Sequence, residues 1–199
     1  MNFERFAGGA AVAVAAGGVA YSISFVLALK AGSDPALRTG FVLLLLGGIL
    51  GSAVLVGLYL RVREPDPGFA ILGLLLGAVG MLGSAIHGGF DLAASIDPGG
   101  SATALPNAID PRGLLTFGLT GLGVLVLAGS IRRAGDLPTG LGWLGTALGV
   151  LLVLIYLGRL MIVDADHPLL LGLAAVTGIV VHPSWFVWLG VVLRRRPTG

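Results

Sequence analysis

Six apolar segments dominate the chain, over 7–29, 40–60, 68–90, 113–131, 140–163 and 168–193. Charges, Pro and Gly punctuate the breaks between them. An α-helix rises about 1.5 Å per residue and a bilayer core is about 30 Å thick, so about 20 apolar residues cross it. Six such segments nearly exhaust 199 residues. The expectation is all-α: a polytopic transmembrane helical bundle of six spans forming one domain over 1–199. The first run, behind Glu4 and Arg5, exceeds the apolar stretch of about 7–15 residues in a secretory signal, so it reads as a span.

Composition agrees. Charged residues are 11% of the chain, against about 25% in a soluble domain. Too few remain to keep a surface wet, which excludes an ordinary soluble enzyme, a disordered chain and a nucleic-acid binder. The chain has no Cys, so disulfides and thiolate-ligated metals are excluded as well.

The placement of the charges gives a direction. If the N-terminus is cytoplasmic, that side holds Arg5, Arg61, Arg63, Arg132, Arg133, Arg194, Arg195 and Arg196, and the other holds Lys30, Arg38 and Arg112. Cytoplasmic loops carry the excess of Lys and Arg, so both termini are expected in the cytoplasm. Phe3, Phe6, Tyr59, Phe69, Trp143 and Trp188 then fall near the same interface, where amphipathic rings are favoured.

The chain has 34 Gly. Lipid tails are as apolar as Leu, so close backbone approach rather than hydrophobicity brings spans together. Gly47/Gly51, Gly73/Gly77 and Gly145/Gly149 are spaced by four and read mainly as internal packing faces. A homo-oligomer through such faces is the sharper alternative. Gly68, Gly73 and Gly77 recur as Gly140, Gly145 and Gly149, each set after an Arg-containing turn with Pro. The repeat hints at duplicated hairpins.

Ionisable residues inside spans are costly and become functional candidates by default. His87 in SAIHGGFD shares a helix face with Ser84 and Asp91, at spacings of three and four. Asp91 is placed to accept a hydrogen bond from the imidazole. Arg159 aligns with His87 on the repeat offset, so both are expected at one depth toward the outer face, near Asp164 and His167. His182 precedes Pro183 within span six, where the proline frees the carbonyl of Ile179 and bends the helix. Ser184 and Thr177 stand nearby to satisfy local polar groups. The plain alternatives are a polar helix end for His87, an Arg159 that snorkels to headgroups, and a His182 bonded to a neighbouring helix. For straight helices His87 and His182 differ in depth by about 12 Å, which disfavours one haem held by both. The turn of Asp164, Asp166 and His167 reads as solvated. No metal and no cofactor is called for, and no catalytic motif is present.

The stretch GDLPTGLGWLGTALGVLLVLIYLG, followed by HPSWFVWLGVVLRRR, resembles the tail of small bacterial six-span membrane proteins of unknown function. Those share a charged turn with LPxxLGWLG and a closing W-x-x-W-L-G segment that ends in Arg. The likeness covers about a third of the chain. It implies a multi-pass protein of the bacterial inner membrane and supplies no catalytic residue.

The functional expectation is a non-enzymatic accessory or assembly subunit, or a binder of lipid or a small ligand, with its site at His87, Asp91 and Arg159. The alternative is a small transporter or proton-coupled carrier using His87, Arg159 and His182. A haem- or quinone-binding redox protein is the third reading. Expected partners are membrane lipid and a protein within a membrane complex, without nucleic acid.

Overall fold

Each expected span is helical, and all but the fifth, which stops at Met161, run past their apolar segments. The computed structural model describes residues 2–96, 109–162, 164 and 167–195. The helices are α1 (Phe3–Ala31), α2 (Asp34–Val62), α3 (Pro67–Ile96), α4 (Thr120–Ala134), α5 (Thr139–Met161), α6 (Pro168–Ala175) and α7 (His182–Arg194). Six stretches are long and apolar enough to cross a membrane. The fourth, Pro111–Ala134, begins with a short 3-10 turn and a π turn over Leu114–Leu119 before entering α4. The sixth, Pro168–Arg194, joins α6 to α7 through a π turn over Val176–Val181. No strand occurs among the described residues. A backbone in hydrocarbon must satisfy its own polar groups, and helices do so internally.

The helix ends lie in the polar breaks. Asn2 caps α1 by accepting from the Glu4 N–H, and Ser33 caps α2 by accepting from the Ala36 N–H. Gly32, at φ 58°, lets α1 turn directly into α2. The helix α3 continues without a break through Gly88 and Gly89 to Ile96, so the residues DLAAS belong to the helix. A Cβ on Gly88 would lie 2.6 Å from the Phe41 carbonyl oxygen. That glycine serves close approach of α2 and does not loosen α3.

The spans form a ring. Each packs on the next in chain order, and the sixth lies between the fifth and the first. Arg61 closes the end that carries the termini. Its Nε donates to Glu4 Oε2 at 2.9 Å and its Nη2 to the carbonyl of Arg195 at 2.6 Å, so the start of α1 and the end of α7 meet there.

The two halves of the ring are filled differently. The largest fully buried side chains include Trp185, Phe186, Leu55, Leu58, Leu127 and Leu189, all in the half nearer the termini. In the opposite half the buried positions include Ser24, Gly40, Ser84, Gly88, Asp110, Gly118 and Thr177. The bulkiest fully buried side chains thus gather at one end, and most of the buried polar side chains lie at the other, alongside Leu152, Ile155 and Leu170. Its outer surface is apolar throughout, with Leu75, Ile86 and Val180 more than half exposed. Phe3, Phe6, Phe69, Trp143 and Trp188 are exposed rings near the terminal end.

The four-spaced glycines face neighbours within the chain, with one change from expectation. Gly73 and Gly77 meet Leu127 and Leu55, and Gly145 and Gly149 meet Trp185 and Leu125. Gly51 meets Met81, but Gly47 has nothing within 4 Å. Its neighbour Gly48 makes the close contact with α3, where a Cβ would lie 2.6 Å from the Ala85 nitrogen.

Candidate functional site

The polar half of the bundle brings side chains from four spans and one connection together. His87 and Asp91 lie one turn apart on α3, and His87 Nε2 is 3.0 Å from Asp91 Oδ2. The other ring nitrogen faces a second carboxylate, with Nδ1 3.6 Å from Asp110 Oδ2. That separation exceeds a hydrogen bond and acts as a charge contact. Ser84, expected on the same face, donates instead to the Gly80 carbonyl of its own helix at 3.0 Å.

Asp110 is fully buried and organises the start of the fourth span. It accepts from the Leu115 N–H at 2.7 Å, the Thr116 N–H at 3.0 Å and the Thr116 hydroxyl at 2.7 Å. These amides belong to the first turn, where a helix has no internal acceptors. Burial by itself would raise the Asp110 carboxyl. The His87 imidazole, the Leu115 amide and the Thr116 hydroxyl and amide outweigh it and hold the group at about 2. The turn that delivers this carboxylate is unusual. Arg112 has φ 59° and Gly113 has φ 79°, so two consecutive residues adopt left-handed backbone.

Arg159 reaches the same region from α5. Its guanidinium lies 5.6 Å from the Phe117 ring centroid, and its Nη1 would be 3.0 Å from a Cβ on Gly113. Asp110 and Tyr21 both lie within its electrostatic range. Tyr21 of α1 in turn senses Asp91. Arg159 therefore packs on the start of the fourth span.

The arrangement has a clear chemical sense. A neutral imidazole has one donor and one lone pair, whereas an imidazolium has two donors. Two carboxylates face the two ring nitrogens of His87, one at hydrogen-bond distance and one as a charge contact, and the Arg159 guanidinium packs on the turn that carries Asp110. Among the described residues no three His, Asp or Glu side chains converge as a set of metal ligands.

His182 stands apart. Its ring packs on Gly18 of α1, where a Cβ would lie 2.6 Å from Cε1, and its centroid is 4.5 Å from that of Phe186. Its Nδ1 is buried without a hydrogen-bond partner among the described residues. The expected bend at Pro183 takes the form of the preceding π turn. Ser184 donates to the Val180 carbonyl at 2.6 Å and Thr177 to the Leu173 carbonyl at 2.7 Å. His87 and His182 thus contact different residues. His167 is a helix cap, accepting from the Leu169 N–H at 3.3 Å, and Asp166 lies outside the described residues.

Asp110 and Tyr21 were not singled out from the sequence. Asp-Pro ahead of an apolar run is a helix-start signal, and YSIS is a polar patch within an Ala- and Gly-rich span, so both had a local trace. In comparisons with protein-family models, curated proteins and solved structures, nothing matches the chain.

Proposed function

We propose that this chain is a non-enzymatic multi-pass protein of the bacterial inner membrane. It binds a small polar ligand or lipid headgroup in the half of the bundle opposite its termini. The observation that carries the reading is His87 held between Asp91 and Asp110, with Arg159 packed on the turn that carries Asp110, in the half that buries Ser24, Ser84 and Thr177. Buried charges in a membrane are costly, and a mere helix end needs only the i, i+4 contact to Asp91. Drawing in Asp110 and Arg159 from other elements assembles a site with both signs of charge, suited to a zwitterionic or hydrogen-bonding ligand. The basic residues Arg5, Arg61, Arg63, Arg132, Arg133, Arg194 and Arg195 at the terminal end support cytoplasmic termini, which puts the site at the outer leaflet.

Native mass spectrometry after extraction in mild detergent tests this reading. The wild type is expected to carry a small non-covalent adduct that is lost in His87→Ala and Arg159→Ala and kept in His182→Ala. A bare wild-type chain would overturn it.

The π turns at Leu114–Leu119 and Val176–Val181 favour a second reading, a proton-coupled carrier. Such turns concentrate at functional sites, and here they interrupt the two spans that flank Arg159. In proteoliposomes a carrier would move protons with its substrate and lose flux in His87→Ala, Arg159→Ala and His182→Ala. Binding without flux would leave the first reading standing.

A further inference from the structure

The terminal end of α4 holds two guanidiniums with no carboxylate on them. Arg132 and Arg133 make no ion pair among the described residues, whereas Arg61 is bound to Glu4 and Arg63 lies 3.6 Å from Glu64. The two cations nevertheless converge. A Cβ on Gly129 would lie 4.0 Å from Arg132 Nη2 and 3.5 Å from Arg133 Nη1. Side chains on a helix lean toward its N-terminus, and α4 enters the membrane from that direction. Both guanidiniums are therefore drawn one turn back along the helix, over the gap that Gly129 leaves.

Each is fixed from its own side. Arg132 donates to the Thr146 hydroxyl and, at 3.4 Å, to the Gly142 carbonyl, and its guanidinium sits 4.6 Å from the Trp143 ring centroid. Arg133 donates to Ser130 Oγ at 3.4 Å and sits 5.3 Å from the Phe69 ring centroid. Those contacts are with neutral groups, so they position the charges without neutralising them. Two like charges held this close repel, and an anion between them relieves the cost. Phe69 and Trp143 are 52% and 61% exposed, and Leu122, on the same helix as Gly129, is 43% exposed. An anion at this place has apolar surface around it for attached chains.

We propose that Arg132, Arg133 and the gap over Gly129 form a binding site for an anionic phospholipid, with the phosphate between the two guanidiniums and the acyl chains along Phe69, Trp143 and Leu122. Guanidiniums bind phosphate oxygens through paired, charge-assisted hydrogen bonds. The exposed rings select a lipid over a free phosphate. This site is independent of the His87 cluster.

The test uses the full chain in nanodiscs of phosphatidylcholine containing a minority of phosphatidylglycerol, with bound lipid read by native mass spectrometry. The wild type is expected to retain phosphatidylglycerol over phosphatidylcholine, and Arg132→Gln/Arg133→Gln to lower that retention about tenfold. Gly129→Leu fills the gap and keeps both charges, so it separates a built site from bulk attraction to a basic surface. It is expected to lose the preference as well, while Arg5→Gln keeps it. An unchanged preference in Gly129→Leu would overturn the proposal. So would equal retention of the two lipids by the wild type, or displacement of phosphatidylglycerol by millimolar inorganic phosphate.

Discussion

His87 Nδ1 and Asp110 Oδ2 stand 3.6 Å apart, on two elements that the chain joins only through its longest connection. The contact ties the last third of one membrane helix to the turn that starts the next span. Asp110 also accepts from the Leu115 and Thr116 amides and the Thr116 hydroxyl. One carboxylate therefore serves both as helix cap and as the second partner of a histidine within a span.

Asp110→Ala is expected to be among the more damaging single polar substitutions. It leaves the Leu115 and Thr116 amides without that acceptor in a partly buried place, at about 1–3 kcal/mol. Asp110→Asn keeps one acceptor oxygen and should lose less. Equilibrium unfolding in mixed micelles measures both, and an Asp110→Ala midpoint equal to wild type would refute the capping role.

The same carboxylate sets an acid limit. Its folded value is about 2, below the ordinary 3.8. A lowered folded value means that protonation favours the unfolded chain. The contribution is complete above about pH 4 and is lost as the pH falls through about 2. Unfolding stability measured stepwise between pH 5 and pH 2 should therefore fall more steeply for wild type than for Asp110→Asn. Parallel curves for the two proteins would show that Asp110 is not held below its ordinary range.

How far the site was legible in the sequence depends on the range of each interaction. His87 and Asp91 are one turn apart on one helix, and their spacing alone predicts the 3.0 Å contact. The six spans follow from apolar length, which a bilayer enforces independently of tertiary packing. Asp110 is different. Its local signal marks a helix start, but its inward position depends on two left-handed residues, Arg112 and Gly113, that turn the chain over the third span. Arg is not a residue whose identity announces positive φ. The π turn before Pro183 was missed for a similar reason. Proline announces a disturbed helix, but whether it becomes a kink or a π turn depends on neighbours such as Gly178, which packs against the Ser22 side chain of α1. Gly47 and Gly48 show the limit of spacing arguments: the spacing of four to Gly51 points to Gly47, but the rotation of α2 brings Gly48 against α3.

Arg112 yields a prediction that runs against the usual effect of deleting a charged residue. At φ 59° its Cβ crowds the following carbonyl, a cost of about 1–2 kcal/mol that glycine does not bear. No hydrogen bond or ion pair of Arg112 occurs among the described residues to offset that strain. Arg112→Gly is expected to leave the unfolding midpoint unchanged or raise it, while Arg112→Val, β-branched in the same conformation, lowers it. A large loss in Arg112→Gly would mean that the side chain is held by a contact that outweighs the backbone strain.

Two single-methyl changes separate packing from propensity. A Cβ on Gly123 would meet the backbone nitrogen of Gly77, lie 2.5 Å from Gly77 Cα and stand 2.9 Å from the Gly73 carbonyl oxygen. Backbone cannot swing aside as a side chain does, so Gly123→Ala must push α3 and α4 apart. Overpacking of this kind costs about 1–3 kcal/mol, and here it also disturbs the helix that carries His87. Gly47 has open space where its Cβ would be, and alanine is the better helix former by about 0.5–1 kcal/mol. Gly47→Ala should therefore be neutral or stabilising. Both changes add the same methyl group to a glycine within a span, so a shared response, in either direction, would refute the assigned contacts. Unfolding midpoints in one detergent, read side by side, decide between them.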